Sequence, residues 1–177
     1  MEESSDLANQ LRAAKWYAFD LDDTLHNFRK ASAAAVTAVL RDVLEVIESA
    51  YSLEDLRAEY KRILVSGTAS AFIDGKSSHQ YREDRLRQLV RKCSINLPKG
   101  RMQCLLHLYE EVLIKSLELK NGVLDLFEAL QRHGHKIAVI SEGPQDAQER
   151  TIEALGLTSN IDYLATITAI VWKTDSN

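Results

Sequence analysis

This chain lacks the residues for several classes of protein. Only two of its 177 residues are cysteines, Cys93 and Cys104, and no CxxC pair occurs. A disulfide framework or a zinc site is therefore not expected, and free thiols in a reducing compartment are. No apolar run reaches the ~18 residues that a membrane helix needs, so no membrane partner is expected. Residues 1–10 are polar and acidic, with neither a basic n-region nor an apolar h-region, which argues against a secretory signal. The expected location is cytoplasmic, with the nucleus left open. Positive charge is not in excess: the formal net charge is −4, so no global attraction to nucleic acid follows. No internal repeat and no low-complexity segment is found. Proline occurs twice, as Pro98 and Pro144, each placed to open a helix. What remains is a chain 45% hydrophobic and 27% charged, the balance of a globular domain.

The most informative stretch is a junction. Lys15-Trp16-Tyr17-Ala18-Phe19 runs directly into Asp20-Leu21-Asp22-Asp23-Thr24, so an aromatic-rich segment ends in three acids within four positions. The spacing predicts a buried strand over 15–20. Acids at the C-terminal end of such a strand stand where open α/β sheets place ligands. On an extended strand Asp20 and Asp22 would point the same way. Two carboxylates that close need a cation between them, or one must hold a proton. A hard ion such as Mg²⁺ meets that need through oxygen ligands. The alternative is an acidic turn with no chemistry.

From there to Leu119 the pattern is helical. Helices are expected over 32–47, from an N-cap at Ser52 to about Val65 with Gly67 as terminator, from Ser77 or Ser78 through Leu89 and Val90, and from Pro98 through Leu105, Leu106, Val112 and Leu117. Asn121-Gly122 then opens a helix over 123–130, with Gly134 at its C′ position. A short strand over 136–140 ends at Ser141, Pro144 starts a helix that Gly156 closes, and 161–171 is β-prone. Alternating elements with short links predict βαβ units and a parallel sheet.

Phe19-Asp-Leu-Asp-Asp-Thr-Leu25 resembles the Asp-x-Asp-x-Thr motif of haloacid dehalogenase-like hydrolases. The resemblance implies an α/β, Rossmann-like three-layer core with a parallel sheet, formed by 12–27 and 119–177, and an inserted α-helical cap over 28–118. It implies that Asp20 is a nucleophile that becomes an aspartyl-phosphate and that Asp22 is the general acid and base. Both would stand at the Mg²⁺ site, Asp20 through its carboxylate and Asp22 through its backbone carbonyl. The dehalogenase branch lacks the second acid, so Asp22 favours phosphoryl transfer. Ile137-Ala-Val-Ile-Ser-Glu-Gly143 resembles the second motif of the family, in which Ser141, with Glu142 and Gly143 beside it, binds the phosphoryl oxygens. Lys173 stands where a charge-balancing, phosphate-binding Lys would, though a solvated Lys in a tail fits its surroundings equally. A small phosphorylated metabolite, a nucleoside monophosphate among the candidates, is the expected substrate.

The last acidic motif of the family has no counterpart, because Asp175 is the only acid after Asp162. The expectation is a shortened member with weakened metal binding and an unpaired sheet edge prone to self-association. Its alternative role is that of a catalytically impaired binding or regulatory protein, and a haloacid dehalogenase is a further alternative. Three other features have plainer readings. His133-Gly-His135 reads as a loop before it reads as a metal pair. The basic stretch Arg82, Arg85, Arg87, Arg91, Lys92, Lys99 and Arg101 reads as a solvated face, or as one from which a residue or two meets the substrate. Asp23 either supports its loop or shapes the metal site.

Overall fold

The computed structural model describes residues 9, 11–46, 51–67 and 74–166. Among these, a three-stranded parallel sheet runs in the order β1 (Trp16–Phe19), β2 (Lys136–Ser141) and β3 (Tyr163–Thr166). Four helices follow β1: α1 (Phe28–Val46), α2 (Leu53–Gly67), α3 (Ser78–Lys92) and α4 (Arg101–Lys115). Then α5 (Val123–Arg132) leads into β2, and α6 (Gln145–Ala154) crosses from β2 to β3. The architecture is α/β with a parallel sheet.

Local chemistry places most of the boundaries. Ser77 and Gln80 form a reciprocal capping box at α3: the Gln80 N–H donates to Ser77 Oγ, and Ser77 N–H donates to Gln80 Oε1 at 2.8 Å. Ser52 and Asp55 do the same at α2, with Glu54 and Asp55 in the positive first turn. Gly134 follows the end of α5 with φ +75°, a conformation in which a side chain would be strained.

Some boundaries differ from the sequence reading. β1 stops at Phe19, one residue short of Asp20, and it is not the buried strand expected: Trp16 and Ala18 are exposed and Tyr17 and Phe19 half-buried, because among the described residues β1 pairs with β2 alone. Pro98 does not open α4: its carbonyl accepts from Arg101 N–H in a turn, and the helix starts after Gly100, where φ is +83°. Leu117 lies beyond that helix, which closes at Ser116. Pro144 is the N-cap of α6 and not its first helical residue, because its ψ of 137° is extended. The part of the expected strand beyond Thr166 lies outside the described residues, as do Lys173 and Asp175.

Two hydrophobic clusters form, with no residue in common. In one, Ile137 and Val139 of β2 pack with Val123, Phe127 and Leu130 of α5, Ile152 of α6, and Leu21 and Leu25. The other joins α1 to α4 through Leu40, Leu56, Leu89 and Leu105, among others. The two chain crossings between them lie side by side: Asn27 N–H donates to Glu118 O at 3.0 Å, and Lys120 N–H to Leu25 O at 2.9 Å. Lys30 and Glu118 add an ion pair at 2.6 Å, and that ammonium holds the Glu118 carboxyl below its ordinary range.

Phe127 is fully buried, and its ring lies tilted at 5.5 Å from that of Phe19, the last residue of β1 before the acids. Truncation leaves a cavity as well as losing transfer free energy. Phe127→Ala should cost about 3–5 kcal/mol, read as a shift in the denaturant midpoint at unchanged slope.

Candidate active site

Leu21 fixes the geometry of the acidic loop. It is fully buried, and its carbonyl accepts from Thr24 N–H (3.3 Å) and Leu25 N–H (3.0 Å), which folds residues 21–25 into a turn. With Leu21 pinned inward, Asp20 and Asp22 on either side line one cleft, of ≈ 1670 Å³. The two acids share a face as expected, through a turn and not a strand. Asp23 takes φ +59°, where Asp is tolerated. It holds that turn: its carboxylate accepts from Arg29 N–H and pairs with Arg29 Nε, both at 3.0 Å. Lys120 Nζ donates to the Asp23 backbone carbonyl from the second crossing. Asp23 thus supports the loop.

The two carboxylates have different surroundings. Asp20 is exposed, and Oδ2 accepts from Thr24 Oγ1 at 2.8 Å. Asp22 is held at both oxygens: Oδ1 lies 3.0 Å from His26 Nε2, and Oδ2 accepts from Gln148 Nε2 at 3.4 Å. His26 is fully buried, and its Nδ1 has no partner among the described residues. Placing the proton on Nε2 gives Asp22 a donor; the tautomer follows from that network.

Ser141, Glu142 and Gly143 line the same cleft, from the C-terminal end of β2. Ser141 is buried, and its Oγ accepts from Gly143 N–H at 3.2 Å. Gly143 is needed for space: a Cβ there would lie 2.0 Å from Gln148 Nε2 and would displace the side chain that reaches Asp22. The N-terminus of α6 follows this corner without a side-chain cap hydrogen bond, and Asp146 in its first turn offsets part of its positive dipole end. The structure thus brings together five of the six residues singled out in sequence, and Lys173 lies outside the described ones.

Above these acids the cleft is walled by α1 to α4. A polar cluster ties that wall to α6. Asp146 accepts from Ser78 N–H (3.0 Å) and Ser78 Oγ (2.7 Å), and Arg150 bonds Ser78 Oγ (2.7 Å), Asp146 (3.1 Å) and Glu110 (2.8 Å). Burial alone would raise the Asp146 carboxyl, yet the bonds from Ser78 and Arg150 hold it below its ordinary value. A depressed folded pKa contributes stability above the unfolded value, and that contribution is lost as pH falls through the folded one. Asp146→Asn should therefore melt below the parent at neutral pH. The gap should close as pH drops below about 4, the unfolded Asp value. Melting curves of both proteins from about pH 7 to about pH 3 would show it, and a pH-independent gap would count against the latch.

Sequence reasoning missed His26, Gln148, Ser78, Asp146 and Arg150. His26 stands four residues after Asp22, a spacing that hinted at contact. Gln148 carried no local signal, since its partner lies 126 residues away; Arg150 stands four residues after Asp146, a helical ion-pair spacing, but its bond to Ser78 spans 72 residues. The basic stretch is not uniformly solvated: Arg82 is buried against the Tyr109 ring, with 4.0 Å from the guanidinium to the ring centroid. His133 closes α5 with Nδ1 at 2.7 Å from Ala129 O, as a loop residue would.

A model of the family described as haloacid dehalogenase-like hydrolase matches residues 14–171. A search of curated proteins gives no match. Among solved structures, a candidate β-phosphoglucomutase from Thermotoga maritima superposes with TM-score 0.61 at 18% identity, covering 86% of this chain and 61% of its own. The magnesium-bound YfnB of Bacillus subtilis, described as a candidate HAD-hydrolase, gives 0.61 at 23% identity, with 86% and 65% covered. A 2-haloacid dehalogenase from Pseudomonas syringae pv. Tomato gives 0.57 at 22% identity, with 89% and 66% covered. The chain thus spans less than two thirds of the length of each, and these likenesses establish the fold alone.

Proposed function

Because the chain belongs to the haloacid dehalogenase-like hydrolases, we propose that it hydrolyses the phosphate monoester of a small metabolite, with Asp20 as nucleophile and Asp22 as acid and base. One observation carries this: Asp22 is present beside Asp20 and is gripped at both oxygens by His26 and Gln148. Carbon–halogen displacement needs one carboxylate. An alkoxide leaving group needs a second, held apart from the first and aimed.

In the first step an Asp20 carboxylate oxygen forms a bond to phosphorus in line with the ester oxygen. The P–O ester bond breaks, and the leaving oxygen takes the Asp22 proton. In the second step the Asp22 carboxylate takes a proton from water as that water attacks phosphorus. The bond to Asp20 breaks, and inorganic phosphate leaves. Ser141 Oγ and the Gly143 backbone would hold the transferring group, with Glu142 at the rim. Lys173 is proposed as the balancing cation.

Mg²⁺ is the proposed cofactor. The available donors, the Asp20 carboxylate and the Asp22 backbone carbonyl, are hard oxygens that suit it and suit zinc poorly. The Asp22 carboxylate is already engaged, which leaves its carbonyl for the metal. Among the described residues no group of three or more His, Cys, Asp or Glu side chains gathers, so water would fill much of the shell. Bound there, the ion offsets phosphate charge that would otherwise repel a carboxylate. The magnesium in the B. subtilis neighbour supports this assignment.

The same proposal divides the chain into a core (12–27 and 119–177) and a cap (28–118) that selects the substrate. It places the protein in the cytoplasm. It also makes the outer edge of β1, which pairs only with β2 among the described residues, a self-association edge of the 177-residue chain. Sedimentation over a concentration series reads that last point, and a strict monomer would refute it. The function itself is tested by phosphate release from an aryl phosphate with and without Mg²⁺, beside halide release from 2-chloropropionate. Metal-dependent phosphate release supports the reading. Halide release alone would favour the dehalogenase branch, and neither release from folded protein would favour a binding role.

A further inference from the structure

Arg82 stands out among the charged groups of the molecule. It lies on α3, keeps 7% of its surface, and lines the cleft that holds Asp20, Asp22 and Ser141. The Tyr109 ring lies beneath its guanidinium at 4.0 Å, and Tyr109 is itself fixed by a 3.1 Å bond to Ser32 Oγ. Among the described residues no hydrogen-bond partner reaches the buried Nη1, and no carboxylate pairs with this side chain.

Such a group is costly. A guanidinium keeps its charge when buried, and a buried charge without a counter-ion is strongly unfavourable. A ring face offsets part of the cost but uses none of the five N–H donors. The neighbours supply no anion. Burial pushes the Tyr60 phenol up to about 12, so it stays a neutral hydroxyl, and Arg85 beside it adds a second cation. Glu110 is the only acid among the described residues that line the cleft between 28 and 117, and it is turned to Arg150 at 2.8 Å. The wall facing the acids therefore lacks one anion.

We propose that Arg82 receives a second oxyanion of the substrate, a carboxylate or a further phosphate, at the end away from the ester phosphate. The planar fork of Arg matches both groups through paired hydrogen bonds. This inference deepens the phosphatase reading and rests on it: the substrate is a small phosphate monoester that carries a second anionic group, bridging Ser141 and Arg82. An ester that ends in a neutral group leaves Arg82 unmatched and binds more weakly.

The test is binding, so that it does not depend on turnover. Phosphonates are not hydrolysed, and three of them separate the cases: phosphonoacetate, methylenediphosphonate and ethylphosphonate, each titrated calorimetrically into the parent, Arg82→Met and Arg82→Lys. At least one of the first two should bind the parent ~10–100-fold tighter than ethylphosphonate, the range of a charge-assisted contact. The tighter of the two identifies carboxylate or phosphate. Arg82→Met should erase that difference, and Arg82→Lys should recover part of it, since Lys keeps the charge and loses the fork. Equal affinity of the parent for all three overturns the proposal, as does no binding of any, or a full difference retained in a folded Arg82→Met. Should Arg82→Met fail to fold, the parent series and Arg82→Lys still decide. The phosphatase reading fails separately, by absence of phosphate release from every ester, whatever the titrations give.

Discussion

Asp20→Asn should leave no more than a few per cent of the parental phosphatase turnover while the protein stays folded. The carboxylate is asked to do two things that a neutral amide does poorly: bond to phosphorus and supply charge to a divalent ion. Little else depends on it. Asp20 is exposed, and among the described residues its carboxylate takes one hydrogen bond, from Thr24 Oγ1 to Oδ2, which the amide oxygen of Asn can accept in the same place. Exposed substitutions away from structural contacts usually move stability by no more than about 0.5 kcal/mol. The measurement is Mg²⁺-dependent release from an aryl phosphate, beside a melting curve. A variant that melts with the parent and still turns over at more than a few per cent would remove Asp20 from the role of nucleophile. A variant that unfolds would contradict the exposed position of the side chain.

The first motif was legible because its physics is local. An apolar strand, one inward Leu and two flanking acids occupy seven consecutive residues, and neither strand end nor turn type had to be right for both acids to reach one cleft. Helix starts were legible where a cap was written in the chain, as at Ser52 and Ser77, and were misplaced at Pro98 and Pro144. Proline tolerates the first turn of a helix but equally tolerates the turn before it. The groups that aim Asp22 were harder. His26 was missed, since only its four-residue spacing from Asp22 is written in the sequence and its burial is set by packing. Gln148 touches Asp22 only because α6 starts beside β2. Arg82 was hidden by its basic neighbours, yet it carried a signal: Arg82, Leu86, Leu89 and Cys93 fall at helical spacing on one stripe, and all four are buried. A charged residue in the apolar stripe of a helix is more informative than the sum of charges around it.

Asp22→Asn should slow hydrolysis by about 10²–10⁴-fold, the scale of general acid–base groups. The structure makes this a clean substitution. The side chain is partly exposed, belongs to neither hydrophobic cluster, and an Asn oxygen can still accept from His26 Nε2 or from Gln148. Folding should therefore survive, and the loss should fall on chemistry. Its size should depend on the leaving group. An aryl oxide leaves without much help, so the first step should suffer less with an aryl ester than with an alkyl ester, whose alkoxide needs the proton. The second step, attack of water on the phosphorylated Asp20, loses its base with either ester. In rapid mixing, the aryl ester should then give a burst of phenol followed by slow turnover. The alkyl ester should show a slow first step and no burst. Parental turnover of an alkyl ester by Asp22→Asn would dismiss Asp22 as the acid, and the grip of His26 and Gln148 on its carboxylate would need another explanation. Equal losses with both esters and no burst would count against Asp22 as the acid of the first step.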